Sequence, residues 1–173
     1  MRAALITGRG RVELREFPEP IPRPDGVVVE IAYCGVCGTD VHAWTSGDPY
    51  RPAICGHEWS GVVRAAGAEV EGLSDGDPVV VGVPPPCGRC APCRAGLAEH
   101  CSAVLEVLVG RDPAAPPHGG FAPAIAVPAG RVVRVDAGLA ALEPAVVDVA
   151  GWVRGADPTV GSGSPRCTPA PSA

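Results

Sequence analysis

The amino-acid sequence predicts a mainly β domain with short helices and one metal-binding lobe. Three observations predict it. The 23 Gly and 21 Pro are spread along 173 residues and cut the chain into short segments, as turn-rich β folds require. Between the breaks stand short runs of β-branched residues, which suit a pleated, half-buried surface. Helical periodicity is weak throughout, and the chain has no internal repeat.

The elements follow in order. MRAALIT and RVELREF read as an opening pair of strands joined by Gly8-Arg9-Gly10. VVVEIAYCG, residues 27–35, reads as a buried strand, and EWSGVVRAAG and PVVVGV are two more. FAPAIAV and RVVRV supply a late hairpin. Helix is confined to a short stretch after Cys37 and one near Gly96–Cys101. From Arg154 onward, RGADPTVGSGSPRCTPAPSA loses apolar patterning and is dense in Pro, Gly and Ser. Residues 1–150 are therefore the expected domain and 151–173 a disordered tail. VGSGSP has the look of a phosphate-binding loop, but Pro165 stands where a helix would propagate and no strand–helix–strand unit follows.

Composition narrows the function. Hydrophobic residues at 46% and charged residues at 19% suit a globular chain. A net charge of −5 without a basic run argues against a nucleic-acid partner. The N-terminus MRAALITGRGRVELREF lacks the apolar core of a signal peptide. No stretch approaches the roughly 18 apolar residues of a membrane helix. The expected location is cytoplasmic, with no membrane partner. Thiols stay reduced there, so the eight cysteines point to metal rather than to disulfides.

CGRCAPCRAGLAEHC places Cys87, Cys90, Cys93 and Cys101 within one lobe, residues 84–103. Cys-x-x-Cys steps turn successive thiolates toward one ion, and a fourth closes a tetrahedron with no open position. Such a site is structural, and zinc is its natural metal. A zinc ribbon that binds nucleic acid or protein is the other class this lobe fits, though aromatic residues at 4% leave little for base stacking. A redox role for Cys90-Ala91-Pro92-Cys93 lacks the surrounding βαβ pattern. A second constellation joins YCGVCGTDVHAW to CGHE. Cys37 offers a soft ligand and His57 an imidazole, and a carboxylate with an exchangeable position would complete a catalytic-type zinc site.

The order CGVCGTDVH, GHEWSGVVRAAGAEV, four-cysteine lobe, GGFA resembles the zinc-dependent medium-chain alcohol dehydrogenases. Gly56-His57-Glu58, Gly61, Gly67 and Val70 have the spacing of that family's zinc signature. The resemblance is to the polyol, sorbitol and threonine dehydrogenase-like branch and covers about residues 1–150, the family's N-terminal catalytic domain. It implies a GroES-like, partly open β-barrel. It also implies catalytic-zinc ligands Cys37, His57 and Glu143, and structural-zinc ligands Cys87, Cys90, Cys93 and Cys101. Glu58 matches the acid beside the catalytic metal, which can ligate it transiently. Thr39 matches the hydroxyl that bonds the substrate alcohol, and His42 the outer end of the proton relay in some members; the chemistry of the site gives Asp40 the part of orienting a zinc-bound ligand rather than binding the metal. The implied activity is zinc-assisted oxidation of a small alcohol or polyol by hydride transfer to NAD or NADP.

Other residues carry plainer expectations. Cys34 is a buried thiol on its strand, Cys55 packs, His100 lies on the surface, His118 belongs to a loop and Cys167 is no ligand. Trp44 and Tyr50 either line the substrate pocket or pack. The family's separate Rossmann domain needs a GxGxxG turn in a βαβ series, and only 30 residues follow Glu143. The expectation is a truncated dehydrogenase, its frame lost shortly after Val135 and inactive alone. The alternatives are a stand-alone zinc-binding module or half of a split enzyme. The bare cleft face would then meet a second copy, as a homo-oligomer, or a separate Rossmann-bearing chain.

Overall fold

The computed structural model describes residues 1–47, 54–82, 84–108 and 115–135. Glu143, Tyr50, Cys167 and the expected tail lie outside the described residues. The chain opens with an antiparallel hairpin of β1 (Arg2–Gly8) and β2 (Arg11–Glu16), turned at Gly10 with φ 66°. Glu13 is gripped on this hairpin by Arg15 at 2.8 Å, Arg11 at 2.9 Å and Thr7 at 3.0 Å. The Arg15 bond, with those from Thr7 and Arg11, holds its carboxyl below the usual range. A depressed acid stabilises the fold above its unfolded pKa and loses that contribution as pH falls through the folded value. Glu13→Gln should therefore be slightly less stable than the parent at neutral pH. Acid titration followed by circular dichroism should show the gap closing below about pH 4.

The main sheet has five antiparallel strands: β3 (Gly26–Cys34), β4 (Trp59–Ala66), β5 (Pro78–Val81), β6 (Ala124–Pro128) and β7 (Val132–Arg134). Their spatial order is β6-β3-β4-β5-β7. The strands are those read from the sequence, but the late hairpin is not formed. β6 pairs with β3 and β7 with β5, at opposite edges. The physical reason is closure of the sheet. Laid flat, five strands would separate the edges by about 19 Å, whereas the four chain steps from Pro128 to Val132 reach at most about 14 Å. The link is a 3₁₀ turn, Ala129–Arg131, which is shorter still. The sheet must therefore curl until its edges nearly meet, and Gly82 N–H donates to Arg131 O at 2.6 Å, extending the β5–β7 ladder into the link. This is a GroES-like, partly open barrel.

Inside the curl, Val27 and Val29 of β3 meet Trp59 and Val63 of β4, Val79 and Val81 of β5, Ile125 and Val127 of β6, and Val132 of β7. The alternation of two along each strand sets this face. Among the described residues the α-helices are short: α1 (Gly38–Ser46), α2 (Ala91–Arg94) and α3 (Ser102–Leu108). The stretch expected near Gly96–Cys101 holds a 3₁₀ turn, Ala98–His100, between α2 and α3. Among the described residues no helix is long and apolar enough to cross a membrane.

Candidate metal centres

Cys37 stands at the N-cap of α1 in extended conformation, where β3 has just ended. His57 lies 20 residues later, on the loop entering β4. Its Nδ1 is 2.8 Å from the Ile54 carbonyl. A carbonyl only accepts, so Nδ1 carries the proton and Nε2 presents a lone pair. That lone pair faces Cys37 Sγ at 3.4 Å. Tetrahedral bonds of zinc to sulfur and nitrogen would set the two donors about 3.6 Å apart, so the pair fits a shared ion.

Asp40 completes a group of donors within 4.8 Å of one another. It is 1% exposed, and both of its oxygens are engaged. Cys37 N–H donates to one at 3.0 Å and Gly56 N–H to the other at 2.9 Å. This geometry suits the orienting role expected of it. Gly56 has φ +72°, and a Cβ there would lie 2.8 Å from Phe121 N. Gly120 N–H in turn donates to Gly56 O at 2.8 Å. The GGFA segment is thus the wall against which the His57 loop is folded.

Thr39 is half-buried and His42 exposed, three residues apart and so on one side of α1. Glu58 is half-buried beside Gly35, whose N–H donates to the Glu58 carbonyl at 2.7 Å. Cys34 is half-buried, and burial pushes its thiol up to about 12. Cys55 is buried, as packing requires, and burial with Asp40 pushes its thiol to about 11. A cleft of about 190 Å³ opens beside His57, lined by Trp59, Pro84, Pro85, Gly119 and Ile125 among others. Trp44 is not in that wall. Trp59 is, and sequence reasoning missed it although it follows His57-Glu58 directly. His100 is on the surface, and His118 is a loop residue that the structure buries against Phe17.

In the lobe, the sulfurs of Cys87, Cys90, Cys93 and Cys101 all lie within 4.8 Å of one another. Cys90 and Cys101 are 4.0 Å apart, against about 3.8 Å for a tetrahedral all-thiolate zinc site. Backbone N–H groups already favour negative sulfur here. Those of Cys93 and Ser102 pull Cys90 down to about 6, and those of Cys87 and Val104 lower Cys101. Desolvation, with Cys90 beside it, pushes Cys93 up to about 12. The lobe thus collects four soft donors within reach of one ion, a set suited to zinc.

Residues 23–137 match the family model described as alcohol dehydrogenase GroES-like domain. A protein named Probable D-xylulose reductase A from Emericella nidulans is 35% identical over 122 residues, covering 67% of this chain and 32% of that protein. D-xylulose reductase A from Aspergillus niger is 39% identical over 103 residues, covering 56% of this chain and 29% of its own length. Among solved structures, galactitol-1-phosphate dehydrogenase from Escherichia coli aligns with a TM-score of 0.63 at 32% identity, covering 79% of this chain and 38% of that one. A cobalt- and zinc-bound thermostable alcohol dehydrogenase from Pyrobaculum aerophilum aligns with a TM-score of 0.60 at 36% identity, covering 79% and 42%. The chain spans about a third of the length of the curated relatives it matches.

Proposed function

Since the chain belongs to the alcohol dehydrogenase GroES-like domain family, we propose that it is the zinc-bearing catalytic domain of a dehydrogenase acting on a small alcohol or polyol. The observation that carries this reading is the placement of the His57 ring, with Nδ1 2.8 Å from Ile54 O and Nε2 3.4 Å from Cys37 Sγ. Cys37 and His57, with Glu143 from outside the described residues, would hold the catalytic-type zinc. Cys87, Cys90, Cys93 and Cys101 hold the structural one. A zinc ion held in the first site would supply the Lewis acidity that makes a substrate hydroxyl acidic near neutral pH. Thr39 accepts the hydroxyl proton and hands it outward toward His42, a direction supported by the step from half-buried to exposed along α1. Glu58 stands ready beside the ligands. The apolar cleft beside His57 seats the carbon skeleton and excludes water.

The hydride acceptor is NAD or NADP, held by a part of the enzyme beyond this domain, in the same chain or in another. The names of the matched proteins, which cover ketose reduction and a sugar-alcohol phosphate, favour a polyol or its ketose as substrate. Residues 1–150 as the domain, 151–173 as its tail, and a cytoplasmic location belong to the same reading. In this reading the 173-residue chain leaves NADH fluorescence unchanged and does not turn over alone. With cobalt in place of zinc, a polyol such as xylitol or sorbitol should perturb the visible cobalt spectrum of the parent and not of His57→Ala. NADH-dependent reduction of a ketose by the 173-residue chain would refute the need for a further part. A cobalt spectrum indifferent to every alcohol tried would refute the substrate class.

A further inference from the structure

The chemistry proposed for the metal pair uses neither His118 nor the cavity it lines. Residues 17–23, FPEPIPR, leave β2 without joining a sheet, since their prolines lack the N–H that a ladder needs. Opposite this segment run Pro116-Pro117-His118 and, from β6, Ala126 and Pro128. The space between is a cavity of about 360 Å³, within the range of small-molecule sites. Its walls are largely rings: Phe17, Pro18, Pro20, Pro116, Pro117 and Pro128. Prolines have φ already fixed, so such a wall has little freedom left to lose on binding. Two charged residues border the cavity, and both are exposed and engaged elsewhere. Glu19 pairs with the N-terminal ammonium at 3.4 Å and Arg64 at 3.3 Å, and Arg23 pairs with Asp25 at 3.2 Å. His118 differs from them. It is 3% exposed, with its ring centroid 5.0 Å from that of Phe17. Its Nδ1 is 2.8 Å from Gly119 O. A carbonyl only accepts, so Nδ1 is the donor, and Nε2 of the neutral ring keeps a lone pair. Among the described residues every side-chain nitrogen and oxygen sealed from solvent has a partner. Nε2 has none there, so it reaches open space, and the open space its ring lines is this cavity.

We propose that this cavity is a second small-molecule site, taking a flat, uncharged aromatic compound of the phenol class whose single O–H donates to His118 Nε2. A charged ligand would be desolvated against apolar walls without a counter-charge, because the bordering charges are already paired. A wholly apolar ligand would cover Nε2 and leave a buried acceptor unsatisfied. One donor answers one acceptor. An aromatic guest packs against the Phe17 ring and, being rigid, gives up little conformational freedom. The cavity shares Pro116, Val127 and Pro128 with the cleft beside His57. None of the candidate metal ligands among the described residues lines it, so binding here requires no metal.

The test is calorimetric titration of the whole chain with 2-naphthol and with 2-methoxynaphthalene, which has the same rings and no O–H. A parallel readout is the ring-nitrogen NMR signal of His118. 2-Naphthol should bind the parent and shift the Nε2 signal. 2-Methoxynaphthalene should bind about tenfold more weakly, and His118→Phe should weaken 2-naphthol by about the same factor, as loss of a buried hydrogen bond does. Ala126→Leu, which fills the cavity from β6, should weaken 2-naphthol about tenfold or more. His57→Ala, which alters only the neighbouring cleft, should stay within about twofold of the parent. If His118→Phe does not fold, the two ligands compared on the parent, together with Ala126→Leu, decide the question. Absence of saturable 2-naphthol binding overturns the assignment, as does equal affinity for the two ligands. Binding lost in His57→Ala and kept in Ala126→Leu overturns it too, since the naphthol would then sit in the cleft. A chain that takes up no metal at Cys37 and His57 and still binds 2-naphthol as described overturns the metal reading alone.

Discussion

Stripping metal from the chain with a strong chelator should unfold the lobe around Cys87–Cys101 and leave the barrel standing. Residues 94–100 are all exposed, and of the side chains from Cys87 to Val107 only Cys101 and Val104 are buried. A segment with so little apolar contact has nothing but its ligands to offset the entropy of ordering. In small zinc domains the metal contributes about 10–16 kcal/mol of apparent folding free energy, far more than two buried side chains do. Hydrogen exchange read by mass spectrometry should show the amides of 87–101 exchanging more than about 10³-fold faster after chelation. Those of Val27–Val29 and Gly61–Val63, inside β3 and β4, should keep their protection. Unchanged protection in the lobe of a protein shown by elemental analysis to be metal-free would mean that the four thiols pack without an ion.

Gly61→Ala should cost about 3 kcal/mol or more and lower the melting temperature by roughly 10 °C. A Cβ at Gly61 would lie 2.0 Å from the Glu30 carbonyl oxygen and 2.9 Å from its carbon. Both are backbone atoms of β3, which is paired on its other side to β6 and has no freedom to retreat. The pairing of β3 with β4 already shifts register between Ile31 and Tyr33, beside the residue that faces Gly61. Gly8→Ala makes the control, since nothing lies within 4 Å of a Cβ there, and it should change stability by under about 0.5 kcal/mol. Urea unfolding of the two variants measures the difference. A Gly61→Ala protein within 1 kcal/mol of the parent would mean that β3 and β4 separate at little cost.

The three glycines of the zinc signature show what could be read before the structure and what could not. Their spacing at 56, 61 and 67 is visible in the sequence, but each is glycine for its own reason. Gly56 combines a left-handed φ with contact to Phe121, Gly61 touches the Glu30 carbonyl, and a Cβ at Gly67 would meet the Arg23 carbonyl oxygen at 2.0 Å. Strands were legible because β-branched runs between Pro and Gly announce themselves. Pairing was not, since β6 and β7 are neighbours in sequence while closure of the barrel sends them to opposite edges. α3 went unread because SAVLEVL is short and follows a cysteine-dense stretch that masks periodicity. Cysteine and histidine spacing made both metal centres readable as candidates. The Asp40 tie was harder to see, because both of its donors are backbone groups without a side-chain signature.

Two metal centres in one small domain carry the proposed function. Metal content, measured by native mass spectrometry on the purified chain, tests it most directly. The purified chain should carry two zinc ions, falling to one in His57→Ala, with the remaining ion lost when Cys93→Ser is added. A folded parent carrying a single ion that His57→Ala leaves in place would contradict it, because Cys37 and His57 would then meet at 3.4 Å without a metal between them.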